Sequence, residues 1–351
     1  MMGQEFHFRE KIPVAILGAM GIIGQTLTAL LESHPWFKIE SLCESDEHVG
    51  KRYGDCIKWK IDKPLPLSLL DAELKPCTPD ISSSIIFSCL ESPVSNEIEE
   101  EFGRAGYLII SLIKNHRQHS SVPIIVPEVN HGHLSLLPKD TGIGALIASP
   151  NSIVTGLTMT LKPLYDHFGI DSLHCVSLQA LSGAGSPGLA ALDIHDNVIP
   201  FIEHEEERIL FETQNVLGSL RNEDVHPASF SFDIQVARIP VKKGHMGYVR
   251  LNLTKNASFK ELIDIWNHYR SKVQSMQLYS APDRPILFKE DKDYPQHIRD
   301  LSTMSVSVGQ LKALNEKTFS YVFLVDNLIR GTAGNALLIA ELLLKEGRIF
   351  W

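Results

Sequence analysis

The sequence predicts an α/β fold, with a doubly wound parallel sheet in the N-terminal part and a second domain of different character after it. Three observations carry this expectation. The chain has 351 residues, too long for one ordinary core and suited to two. Its first part alternates short apolar runs with helical patterns, the order expected of parallel strands joined by crossover helices. Beyond Ser152 the runs alternate apolar and polar residues, as half-buried strands do. Hydrophobic content of 44% and charged content of 21% are those of a globular chain. A net charge of −9 argues against a nucleic-acid partner or an acidic-membrane surface. No apolar run approaches the length needed to span a bilayer, and Met1 to Arg9 is polar and charged rather than a secretory signal. A cytoplasmic location is therefore expected. The five cysteines, Cys43, Cys56, Cys77, Cys89 and Cys175, are scattered and lack short paired spacing, so neither a disulfide framework nor a metal site is expected.

Taken in order, Ile12 to Leu17 is a short apolar strand, followed by Gly18-Ala19-Met20-Gly21-Ile22-Ile23-Gly24 and a helical pattern through Leu27, Leu30 and Leu31. Glycines at these places allow a tight turn, close backbone approach to a pyrophosphate and tight packing of helix on strand, while the helix N-terminus offers the positive end of a dipole. An ordinary strand-to-helix turn is the plainer alternative. Lys38 to Cys43 reads as the second strand and leads into Glu44-Ser45-Asp46-Glu47. An acidic group at that point accepts hydrogen bonds from a free ribose 2′-hydroxyl and repels a 2′-phosphate, favouring NAD over NADP. A solvated acidic loop is the competing reading. Ser82 to Leu90 and Tyr107 to Ser111 are further buried-strand candidates, separated by a Glu-rich helix from Ser95 to Ala105. Lys114-Asn115-His116-Arg117 then forms a cationic loop at the carboxyl end of a strand, where open α/β sheets place ligands. Arg117 is either an anion-binding group there or part of a surface charge cluster.

The chain is organised around Ile147 to Leu164, a strand ending at Ala148, the turn Ser149-Pro150-Asn151-Ser152 and a helix. Ser152 falls at the first helical turn, where unpaired N–H groups and the dipole favour an anionic or acylated group. From this window alone a simple helix cap is the plainer reading. Leu173 to Ala180 alternates, with Cys175, Ser177 and Gln179 on one face, and runs into the donor-rich loop Leu181-Ser182-Gly183-Ala184-Gly185. Asn197 to Leu217 reads as helical, with Glu203 to Arg208 as a charged run that suits a solvated face. Phe230 to Pro240 and Gly247 to Leu253 read as two antiparallel strands joined as a hairpin, flanked by Arg238 and His245, either of which suits a surface. Ser302 to Leu311 and Phe319 to Leu324 are further strands. Asn327 to Gly334 is a glycine turn that opens a long amphipathic helix, Asn335 to Lys345, expected to return to the first domain.

These stretches together resemble aspartate-β-semialdehyde dehydrogenase of the archaeal and fungal type, almost end to end from Gly18 to about Leu344. The markers are Gly-Ala-x-Gly-x-x-Gly, Pro127-Glu-Val-Asn130, Pro150-Asn151, Gln179-Ala-x-Ser-Gly-Ala-Gly185, Asn197-Val-Ile-Pro-x-Ile202, Arg238-x-Pro-Val-x-x-Gly-His245 and Asn327-x-Ile-Arg-Gly-x-Ala-Gly334. The resemblance implies a Rossmann-like domain, 1–150 plus 327–351, and an α+β catalytic and dimerisation domain, 151–326, in a homodimer or homotetramer. It also implies that aspartate semialdehyde, phosphate and NAD(P) give 4-aspartyl phosphate through an acyl-enzyme, in aspartate-family amino-acid biosynthesis. On this mapping His245 is the acid–base group and Gln179 orients the covalent intermediate. Arg238 clamps the substrate carboxylate, Glu205 meets the amino group, and Arg117, Asn151 and Arg208 serve phosphate. Gly18, Ala19, Met20, Gly21, Ile22, Ile23, Gly24, Ser45, Ser182, Gly183 and Asn327 meet the cofactor.

Ser152 stands where the family has its cysteine nucleophile. A thiol titrates at about pH 8.5 and is readily lowered at a helix N-terminus, whereas a hydroxyl stays protonated and needs a base. Losing a covalent nucleophile costs on the order of 10³ to 10⁶ in rate. Cys175, roughly 13 Å along the strand from Gln179, is no substitute. Met20 replaces the usual Thr, Glu47 a basic residue for the NADP phosphate, and Arg208 a Lys. The expectation is an aspartate-semialdehyde-dehydrogenase-like oxidoreductase impaired by serine. The alternatives are a catalytically silent binding or regulatory dimer and an acyl-enzyme dehydrogenase with another substrate.

Overall fold

In the computed structural model the described residues are 10–91, 93–138, 144–185, 187–301 and 303–349. The Met1 to Arg9 segment, and the expected strand start at Ser302, lie outside them. Five parallel strands form the first sheet: β1 (Ile12–Leu17), β2 (Phe37–Cys43), β3 (Ile85–Ser88), β4 (Leu108–Ser111) and β5 (Ala145–Ala148), in the order β2-β1-β3-β4-β5. Helices α1 (Ile22–Leu31) and α2 (Ser95–Arg104) lie between its strands in sequence. The order reverses at β1, so the carboxyl ends of β1 and β3 open a crevice there.

The second sheet is mixed. Its strands are β6 (Ile170–Gln179), β9 (Ser231–Arg238), β10 (His245–Leu253), β11 (Ile286–Phe288), β12 (Val306–Ala313) and β13 (Thr318–Val325), in the order β11-β12-β13-β10-β6-β9. A short ribbon, β7 (Ser219–Arg221) with β8 (Asp224–His226), stands apart. Helix α3 (Ser152–Phe168) packs on this sheet and is largely buried. Gly156 permits the approach, because a Cβ there would lie 2.8 Å from Val325 Cγ1. Each large apolar side chain buried in this interface stabilises the fold by roughly 1.5–3 kcal/mol. Helices α4 (Glu205–Val216) and α5 (Phe259–His268) flank α3.

Three expectations are corrected. The segments ending at Arg238 and beginning at His245 do not form a hairpin, since β6 lies between β9 and β10. Their short connection crosses the end of β6, where Ile239 N–H donates to Gln179 O at 3.0 Å and Leu181 N–H to Val241 O at 2.9 Å. Residues 197–204 are not helical. Asp196 and His204 take left-handed φ of 54° and 55°, and Ile199 instead makes an isolated bridge to Arg238. The closing helix α6 (Gly334–Lys345) does return to the first sheet, but it is buried on every face from Gly334 to Leu344, so it is a core helix and not an amphipathic one. Its Glu341 meets the wholly buried His34 at 3.0 Å. Arg330 and Glu128, also wholly buried, are joined at 2.6 Å just before it. Among the described residues no helix is long and apolar enough to cross a membrane.

Candidate active site

Three neighbouring strands end at one place. Arg238 is paired in register with Gln179, and His245 opens β10 on the other side of Gln179. The three side chains are buried, at 6%, 2% and 1% exposure, which removes the surface reading of Arg238 and His245. They line a cavity of about 680 Å³ together with Asn151, Ser152, Ser182, Gly183, Glu205, Arg208 and Asn327.

Ser152 does not cap its helix. Asn151 is the cap, its Oδ1 accepting the Ile153 N–H at 3.1 Å. The Ser152 hydroxyl, the first helical position, has no hydrogen-bond partner among the described residues and lines the cavity. The turn Ile329–Ala333 presses on it from behind, and Gly331 is required there, since a Cβ would lie 2.6 Å from Ser152 Cβ.

Glu205 ties the cavity wall together. Its Oε1 accepts from Asn151 Nδ2 at 2.7 Å and Gln179 Nε2 at 2.9 Å, and its Oε2 from Arg208 Nη2 at 2.9 Å. Burial alone would raise this carboxyl, but the Arg208, Gln179 and Asn151 donors outweigh it and hold it below the ordinary range. Glu205 is therefore not part of a solvated face, although Glu206 and Glu207 beside it are exposed. Glu212, two turns further along the same face of α4, was not singled out from the sequence, and only its seven-residue spacing from Glu205 could have suggested it. It receives the Asn151 N–H at 2.6 Å and Arg117 Nη1 at 3.3 Å. Burial raises the Glu212 carboxyl, and the neighbouring Arg117 offsets this only in part. Arg117 is 8% exposed, not part of a surface cluster, and its Nη2 donates to Leu112 O at 3.2 Å.

His245 is held neutral. Burial first, and then the Arg238 guanidinium, push its pKa down to about 3. Its Nδ1 accepts the Ala180 N–H at 3.1 Å, so the proton resides on Nε2, which lies at the cavity wall. Arg238 Nη1 donates to Ala180 O at 2.8 Å, so both side chains are anchored on the backbone of one residue. Asn327 holds the neighbouring loop, accepting the Gly244 N–H at 2.7 Å and donating to Ser182 Oγ at 2.8 Å. The thiols of Cys43, Cys77 and Cys175 are pushed up to about 12, chiefly by burial, and so supply no thiolate in place of Ser152.

A second cavity of about 780 Å³ continues along the crevice, lined by Gly18, Met20, Gly21, Ile22, Ile23, Glu44, Ser45, Glu47 and His48. The glycine turn fits a pyrophosphate. Gly18 has φ 76°, a Cβ at Gly24 would lie 2.4 Å from Gly18 O, and α1 has no side-chain cap, leaving its first N–H groups for an anion. Ala19 and Gly24 are buried beneath the turn and do not line the cavity. Glu44 receives the Met20 N–H at 3.0 Å and the Ser45 N–H at 3.1 Å. Ile22, Ile23, Leu90, Glu91 and Gly185 line both cavities, so the two form one cleft.

Family models match the chain in order: semialdehyde dehydrogenase, NAD binding domain, over residues 13–137, and semialdehyde dehydrogenase, dimerisation domain, over residues 161–330. Aspartate-semialdehyde dehydrogenase of Archaeoglobus fulgidus is 35% identical over 344 residues, covering 96% of this chain and 99% of that protein. Malonyl CoA reductase (NADP) of Metallosphaera sedula is 30% identical over 354 residues, 97% of this chain and 99% of that protein. The crystal structure of aspartate semialdehyde dehydrogenase with NADP from Candida albicans superposes with a TM-score of 0.89 at 31% identity, over 96% of this chain and 99% of that one. Matched along both sheets and nearly its whole length, the chain belongs to the aspartate-semialdehyde dehydrogenase family of NAD(P)-dependent oxidoreductases.

Proposed function

We propose that the cleft binds aspartate semialdehyde beside a nicotinamide dinucleotide, and that Ser152 curtails the acyl-transfer half of the family reaction. The observation that carries the reading is the Glu205 carboxylate, whose three donors fix Asn151, Gln179 and Arg208 around the cavity that Ser152, Arg238 and His245 face. Arg238 has guanidinium N–H groups left for a carboxylate. Glu205 retains one acceptor site for an ammonium. His245, with its proton on Nε2, donates to a carbonyl oxygen. Arg117 also lines the cavity, with Nη1 on Glu212 and a buried Nε that has no partner among the described residues, so Arg117, Arg208 and Lys114 are the cations that would attract phosphate.

The glycine turn, Ser182 and Asn327 would hold the dinucleotide, which supplies hydride exchange when bound. Glu44, pinned by two backbone N–H groups, and the exposed Glu47 support NAD over NADP. The dimerisation-domain match supports self-association as a homodimer.

The groups tied to the Ser152 turn are poor bases for its proton, because His245 Nδ1 is engaged, the Glu205 carboxyl is held below the ordinary range by its three donors, and the Glu212 oxygens serve Asn151 and Arg117. Phosphate-dependent reduction of NAD and NADP with aspartate semialdehyde, measured for the chain and its Ser152→Cys variant, tests this. The variant should exceed the parent by about 10³ or more. Equal rates would refute the account of serine, and two inert proteins would refute the substrate.

A further inference from the structure

We propose that the catalytic cavity also takes an acidic amino acid, with its side-chain carboxylate on Ser152 and His245 where the aldehyde of the family substrate would lie. The inference rests on the preceding reading of which end of the cavity meets the amino-acid part. It starts from the polar atoms that face the cavity without a protein partner. Ser152 Oγ has none among the described residues, and His245 is 1% exposed with its Nδ1 already taken, leaving Nε2 to point inward. Arg238 is 6% exposed and spends only Nη1 on Ala180 O. The cavity therefore offers donors at two places, a guanidinium at one and a hydroxyl with an imidazole N–H at the other.

The charges agree with that arrangement. Lys114, Arg117, Arg208 and Arg238 line the cavity against two carboxyls, Glu91 and Glu205, and Glu205 is committed except for one acceptor site suited to an ammonium. Ser152 also opens the 17-residue helix α3, whose positive end favours an anion. Here serine differs from cysteine in sign as well as in reactivity. A thiolate at this position is an anion and repels a carboxylate, whereas a hydroxyl donates to it. The substitution that weakens acyl transfer thus removes the charge that would exclude the acid. A ligand with an ammonium and two carboxylates engages Arg238, Ser152, His245 and the open acceptor site of Glu205, and aspartate has that chemistry.

Titration calorimetry on the full chain with L-aspartate, L-asparagine and L-homoserine tests the assignment. L-aspartate should bind at least about tenfold tighter than either neutral analogue, as expected when a charge-assisted hydrogen bond is lost. Ser152→Ala, checked for an unchanged melting temperature, should lose about tenfold for aspartate and little for asparagine. Ser152→Cys should lose more aspartate affinity as pH rises through the thiol titration. Equal affinity for aspartate and asparagine, or indifference to Ser152→Ala, sinks the proposal. Turnover of aspartate semialdehyde by Ser152→Cys separates the two readings. If that variant turns over and aspartate is not preferred, only this inference fails; if it is inert and no amino acid binds, the substrate reading fails with it.

Discussion

At the end of the cleft around Ser152 the polar side chains hold one another. Glu205 is buried under three donors, and Glu212 joins the Asn151 N–H to Arg117. At the other end, along the second cavity, Ser45, Asp46 and Glu47 stand in solvent on a short loop, and of these neighbours only the Glu44 side chain accepts backbone N–H groups. The difference separates two kinds of substitution. A buried group with several partners cannot be removed without stranding them, whereas an exposed acid changes the local charge and little else. Ser152 belongs to neither kind, since it sits in the buried end yet has no partner to strand, which is how the nucleophile position can change while the wall around it stays intact.

Three measurements break or sharpen that contrast. The largest effect is acid-linked and falls on His245. Its folded pKa of about 3 lies below the ordinary value of 6.5, so the unfolded chain binds the extra proton between those values. Stability is therefore complete above about pH 6.5 and is lost as pH falls toward 3, by an amount on the order of 4 kcal/mol. Urea unfolding of the chain and of His245→Gln across this range should show the steeper decline only in the former; parallel pH curves would mean that His245 is not held neutral by the fold.

Next in size is Glu205→Ala, which leaves Arg208, Gln179 and Asn151 without their shared acceptor. It should cost about 3 kcal/mol at neutral pH, and a loss below ~1 kcal/mol would place the buried end in the same class as the exposed loop. The smallest is Glu47→Arg, expected to change stability by less than about 0.5 kcal/mol. In dinucleotide titrations the same variant should favour NADP over NAD by about tenfold relative to the parent, as an added cation near a 2′-phosphate would. An unchanged preference would mean that Glu47 does not meet the ribose.

Several of these features were legible in the sequence for a local reason. The turn is specified by Gly18 and Gly24, which tolerate no Cβ, and the alternation from Leu173 to Gln179 shows which face is buried. The hairpin expected from Phe230 to Leu253 was misread because two alternating strands joined by a short link look adjacent. The link instead steps over β6, and that step is what brings Arg238 and His245 to the two sides of Gln179. The helix expected from Asn197 was misread because a polar run after apolar residues resembles a first turn, while the left-handed backbone at Asp196 and His204 breaks it.

The sequence by itself determined the fold class, the glycine turn, the absence of a cysteine at position 152 and the set of residue types around it, because these depend on local periodicity and on residue identity. Only the tertiary structure decided that Asn151 and not Ser152 caps α3, that Arg117 pairs with Glu212 95 residues away, and that His245 is neutral with its proton on Nε2. Those outcomes depend on burial and on partners distant in the chain, and neither is written in the spacing of neighbouring residues.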